Sequence, residues 1–171
     1  MVTIAIMSIM VAIGFPSFQT MIASNRLTSS TNSMVSALQL ARMEAVKQHE
    51  WVIIKPKDNV TDGWANGWYV FVDFNGDNAQ DSLTEPTIAT FDALNSTTTM
   101  TAVDDTSVVS TAGYSNRVSY RPSGRVNSSG HFTFCSAAAQ DFRSVIIAAT
   151  GRIRVETSSN STTTYATSGC K

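Results

Sequence analysis

The first charged residue of this chain is Arg26. Sixteen of the twenty-three residues from Met1 to Ala23 are apolar, and the rest are small or uncharged. A helix of ~20 such residues matches the hydrocarbon core of a bilayer. The chain has to bury this stretch, in a membrane or against something equally apolar. No basic start or small-residue cleavage site marks it as a secretory signal peptide. Residues 1–24 therefore read as an anchor, and residues 25–171 as one soluble head.

The helical pattern continues past Ala23. Leu27, Met34, Leu38, Ala41 and Ala45 recur every three or four residues and make one apolar stripe. Asn25, Arg26, Ser29, Asn32, Ser36, Arg42 and Lys47 occupy the other face. This predicts one helix from the start to about Gln48, ~70 Å long. Its second half, 25–48, is amphipathic and should pack on the head. Gly14 and Pro16 predict a kink or local melting in the first half.

From Trp51 the pattern turns to β. Strands are predicted at Trp51–Ile54, Trp68–Phe74, Thr87–Phe91, Arg117–Tyr120, His131–Cys135, Arg143–Ala149 and Arg152–Glu156. Turns fall at Asn75-Gly76, Pro122-Ser-Gly124 and Thr150-Gly151. Residues 95–111 suggest a weak strand within a loop. The stretch 157–169 is Ser/Thr-rich with no hydrophobic period and reads as a tail. The β-rich region is thus 51–156, and the fold class is α+β, a long N-terminal helix on an antiparallel head. Trp51, Trp64 and Trp68 read as packing residues.

Cys135 and Cys170 are the two cysteines. Beyond a membrane span they suggest an oxidising compartment and one disulfide that ties back the tail. Two thiolates without clustered partners are too few for a metal site. Charge is asymmetric: residues 1–105 hold five Lys/Arg and eleven Asp/Glu, net −6, and residues 106–171 hold seven and two, net +5. A basic face towards the C-terminus follows.

In order along the chain, Met1-Val-Thr-Ile-Ala-Ile6, Ala41-Arg-Met-Glu-Ala-Val-Lys47, Gly67-Trp-Tyr-Val-Phe-Val-Asp73, Tyr120-Arg-Pro-Ser-Gly-Arg125 and Arg143-Ser-Val-Ile-Ile147 with Gly151-Arg-Ile-Arg154 resemble type IV minor pilins and pseudopilins of the FimT/GspH class. The opening looks like the family's N-terminus starting just after its Phe-Thr-Leu-Ile-Glu-Leu stretch; the family's leader and that glutamate are absent from these residues. The resemblance implies a subunit held in the inner membrane by its N-terminal span, with its head in the periplasm. On assembly with other pilins it would reach the cell surface.

In a strand, Arg152 and Arg154 would project together while Ile153 and Val155 face the core. Two guanidiniums beside a glycine turn suit adjacent phosphates. In the FimT branch a Gly-Arg-x-Arg motif is associated with DNA binding in natural transformation. The resemblance therefore implies that Gly151, Arg152 and Arg154 contact double-stranded DNA, with Arg143, Arg121, Arg125 and Lys171 widening the patch. The alternative is a pilin or type II secretion pseudopilin that serves filament assembly without DNA, its arginines paired with Asp141 or Glu156.

Asp73-Phe-Asn75-Gly-Asp77-Asn-Ala-Gln-Asp81 is spaced like the start of a calcium loop, but Asn78 and Thr84 replace its Gly and Glu. A solvated acidic turn is expected, with no metal. No cofactor is implied. His49 and His131 match no catalytic motif, and none for hydrolase, zinc protease or nucleotide chemistry appears. An enzyme is not expected.

Overall fold

The computed structural model describes residues 2–58, 63–81, 83–104, 114 and 116–158, without the side chains of 2, 4–17 and 104. One helix, α1 (Val2–Gln48), runs unbroken past Gly14 and Pro16, so the expected local melting does not occur. It ends at His49, which adopts the left-handed conformation (φ 60°) common just beyond a helix. Among the described residues no helix is long and apolar enough to cross a membrane. The side chains of 4–17, on which that expectation rests, lie outside the described set.

Eight strands follow: β1 (Trp51–Pro56), β2 (Trp68–Asp73), β3 (Thr87–Phe91), β4 (Thr99–Asp104), β5 (Val118–Tyr120), β6 (Gly130–Ser136), β7 (Asp141–Ile147) and β8 (Ile153–Thr157). They form two four-stranded sheets, ordered β3-β2-β1-β5 and β4-β6-β7-β8, and every named pairing is antiparallel. Strand periodicity predicts all but the ambiguous β4 cleanly. The part of that ambiguous region from 105 to 111, and the tail from 159, lie outside the described residues. Pro56 ends β1 beyond the β5 pairing, which stops at Ile54, so its missing N–H opposes no strand on that side.

The helix lies over both sheets. Its buried stripe is Leu27, Thr31, Met34, Leu38, Ala41 and Ala45, at alternating spacings of four and three. Thr31 satisfies its hydroxyl by donating to the Leu27 carbonyl at 2.8 Å. Beneath the stripe, alternation along each strand presents Val52, Ile54, Val70, Val72, Val118 and Tyr120 from the first sheet. Phe132, Phe134, Val145 and Ile147 come from the second. Burying each of the larger side chains contributes about 1.5–3 kcal/mol. Trp64, on the short 3-10 turn Gly63–Asn66, meets Phe132 edge-on at 5.0 Å and donates its Nε1–H to the Tyr114 carbonyl at 2.6 Å. Trp64 and Trp68 are buried as packing residues, as expected.

Candidate functional site

Two glycine turns meet at the seam between the sheets. The first leaves β5: Gly124 donates to the Arg121 carbonyl at 2.8 Å, with φ +73°. The second joins β7 to β8: Gly151 donates to the Ala148 carbonyl at 2.7 Å, with φ +78°. A Cβ on Gly151 would stand 2.1 Å from the Gly124 carbonyl oxygen, so the two backbones are in contact. Both turns lie against Arg42 of α1, whose Nε is 3.3 Å from the ideal Cβ position of Gly151 and 3.4 Å from that of Gly124. Arg42 also donates to the Thr150 carbonyl at 3.5 Å.

Arg152 and Arg154 leave this seam together and line one groove with Ser129, Ile146, Ile147, Ala148 and Ala149. Arg152 is exposed, and among the described residues it forms no ion pair. Arg154 is also exposed, but its Nη2 is 3.0 Å from Glu156 Oε1. The competing expectation that paired Arg154 with Glu156 is met at that residue. The regular strand starts at Ile153, and Arg152 precedes it.

Ile153 packs against the core as expected. Val155 does not: it is 42% exposed. Register puts it opposite Val145, on the core side, but β8 is an outer strand and the described residues leave it partly open there.

Of the other expected residues, Arg121 and Arg125 lie by the seam and Arg143 does not. Arg121 lies 5.4 Å over the Trp51 ring and donates to Asn127 Oδ1 at 2.9 Å. Arg125 is exposed on the turn that touches Gly151. Arg143 shares a face with Val145 and Ile147, whereas Arg154 is opposite Ile146, so the sheet separates the two arginines. Arg143 is half-buried, with Asp141 at 4.0 Å. Lys171 and Cys170 lie outside the described residues. Cys135 is disulfide-bonded, and no cysteine among the described residues is free.

Sequence reasoning missed two residues. Arg42 sits on the polar side of the helical stripe and looks like a solvated cation; its contacts come from turns more than eighty residues away. Its charge also reaches Tyr120, whose phenol burial pushes well above the ordinary range, with Arg42 opposing part of that rise. Glu85 is the second. Together with Asp73 it corrects the expectation of a solvated acidic turn, because both side chains are buried. Asp73 accepts from the Gly76 and Asn78 amides at 2.7 and 3.2 Å, and Glu85 from the Phe74 and Asp81 amides at 3.1 and 2.9 Å. The carboxylates of Asp73, Asp77 and Glu85 converge, and their work here is to hold the loop backbone.

The chain matches the description of the type II transport protein GspH over residues 30–151. It also shares its fold with the type IV minor pilin FimU of Pseudomonas aeruginosa strain PAO1, in two crystal forms. The P21 form is 20% identical, covers 78% of this chain and 90% of that one, and superposes with a TM-score of 0.57. The P65 form is 22% identical, with 76% and 92% covered and a TM-score of 0.54. A comparison with curated proteins finds no match.

Proposed function

This chain belongs to the GspH family, as a minor pilin or pseudopilin of the type IV pilus or type II secretion class, and from that premise we propose that it captures extracellular double-stranded DNA for uptake in natural transformation. The observation that carries the reading is the turn Gly151-Arg-Ile-Arg154, which brings two exposed guanidiniums to one groove. Forked, permanently charged donors suit phosphate oxygens. Such contacts hold the backbone and ignore base sequence, so the binding is non-specific and falls with salt. Arg121 and Arg125 flank the seam and extend the basic face.

The anchor reading of Met1–Ala23 places the helix in the inner membrane before assembly and among the helices of other pilins afterwards. A Cys135–Cys170 bridge would close the head in the periplasm and hold the tail to β6. The subunit binds and assembles; no catalytic step is part of this reading.

The assembly-only alternative has its own support. Arg154 is engaged by Glu156, and Phe18, Met21, Ile22, Met43 and Val46 leave apolar surface exposed along the helix. The two readings separate in one titration. The full chain, held in a non-ionic detergent, is titrated with duplex DNA between about 50 and 200 mM salt. DNA capture predicts binding that weakens steeply with salt and is largely lost in Arg152→Ala with Arg154→Ala. A double variant that binds like the parent would remove the motif from the function. A parent that ignores DNA at low salt would leave the assembly reading.

A further inference from the structure

Resting on the DNA reading above, we infer that the phosphate seat is formed by Arg42 and Arg152, so that the long helix supplies one side of it and Arg154 is secondary. Arg42 and Arg152 line a groove of about 310 Å³ with Gln39, Met43 and Ile153. No carboxylate lines it, and neither arginine enters an ion pair among the described residues. Gln39 adds an amide donor.

Arg42 is also held in place. Both glycine turns lie against its Nε, and its Nη2 donates to Thr150. A guanidinium carries five N–H donors, so most of them remain for a ligand. A cation fixed by backbone loses little freedom on binding, which favours the bound state. Arg154 differs on each count. Its Nη2 is engaged by Glu156 at 3.0 Å, and the Glu156 side chain is only 14% exposed. A phosphate approaching Arg154 has to displace or face that carboxylate.

The neighbourhood favours a repeating anion over a single carboxylate. Gly124 touches Gly151, and Arg125 follows Gly124 directly, so the seam carries a third exposed cation beside the groove. A nucleic-acid backbone offers successive phosphates to such a row.

The test uses the full chain in non-ionic detergent with a short duplex. Arg42→Gln should weaken binding about five- to tenfold at low salt and lower the salt slope by about one. Arg154→Gln should weaken it about twofold or less. Arg42→Lys should keep the salt slope and lose part of the affinity, because the charge stays and the fork goes. The reverse order of Arg42 and Arg154 overturns the assignment. So does an Arg42→Gln variant of parental affinity, with DNA binding itself intact. A parent that does not bind DNA removes the DNA reading and this seat with it.

If Arg42→Gln fails to fold, the ¹⁵N-labelled parent decides. Duplex DNA should shift the Nε–H signals of Arg42 and Arg152 more than that of Arg154, and an unmoved Arg42 signal refutes the seat. A glutamate-rich peptide that moves Arg42 where duplex DNA does not would give the groove to a neighbouring protein's carboxylates, and the inference falls.

Discussion

Gly151 and Gly76 have the same φ, +78°, in very different surroundings. A Cβ at Gly76 meets nothing within 4 Å, while one at Gly151 would stand 2.1 Å from the Gly124 carbonyl oxygen. Replacing each by alanine therefore separates backbone strain from collision. A left-handed alanine costs about 1–2 kcal/mol. Stiffening of the unfolded chain offsets about 0.4–1 kcal/mol of that penalty. Gly76→Ala should thus lose roughly 0.5–1.5 kcal/mol.

Gly151→Ala carries the same loss plus the overlap with a backbone atom that cannot rotate away. Forced overpacking adds about 1–3 kcal/mol. The expected difference between the variants is that increment, about 2–4 °C of melting temperature per kcal/mol for a chain of this size. Urea unfolding of both variants measures it directly. The perturbation should also move the Arg42 and Arg152 signals, because the turn rests on Arg42. Equal destabilisation, within about 0.5 kcal/mol, would refute the turn-on-turn contact.

Four further outcomes are expected. The Tyr120 hydroxyl is buried with no hydrogen-bond partner among the described residues, so Tyr120→Phe should be neutral or stabilising by up to about 1 kcal/mol in chemical unfolding. Burial raises the phenols of Tyr120 and Tyr69, so the folded chain keeps protons that the unfolded chain releases. Stability should hold below about pH 10 and fall as pH rises above it, and less steeply in Tyr120→Phe. Glu156→Gln should free Arg154 and strengthen DNA binding about two- to threefold; an unchanged titration would mean that Arg154 plays no part. Mass measurement with and without reductant should show one bridge between Cys135 and Cys170, and two alkylatable thiols in the native protein would refute that pairing.

Much of the architecture is written locally. The stripe from Leu27 to Ala45 and the alternation within Trp68–Asp73 each state a period, and the periods settle which faces are buried. What was not legible depends on distant parts meeting. Val155 alternates correctly with Arg154, yet alternation says only which side a residue faces, not whether anything covers it. Arg42 and Ser36 look alike in the sequence, and only the meeting of the Gly124 and Gly151 turns distinguishes them. The division of the strands into two sheets is a long-range choice of the same kind. Glu85 reads as one more acid in an acidic stretch, because its value lies in amides at Phe74 and Asp81 that the fold turns towards it.

The two sheets share no strand, and α1 packs on both. That makes the helix one path by which mechanical load passes between the halves of the head, beside the contact of the Gly124 and Gly151 turns. A polymer gripped at Arg42 would hand its tension to the α1 backbone directly, without first stretching a loop or peeling an edge strand. Tension entering through Arg154 would instead act on β8, the outermost strand, which can be stripped one hydrogen bond at a time. A subunit that pulls on a long molecule withstands more force when its grip is mounted on the helix.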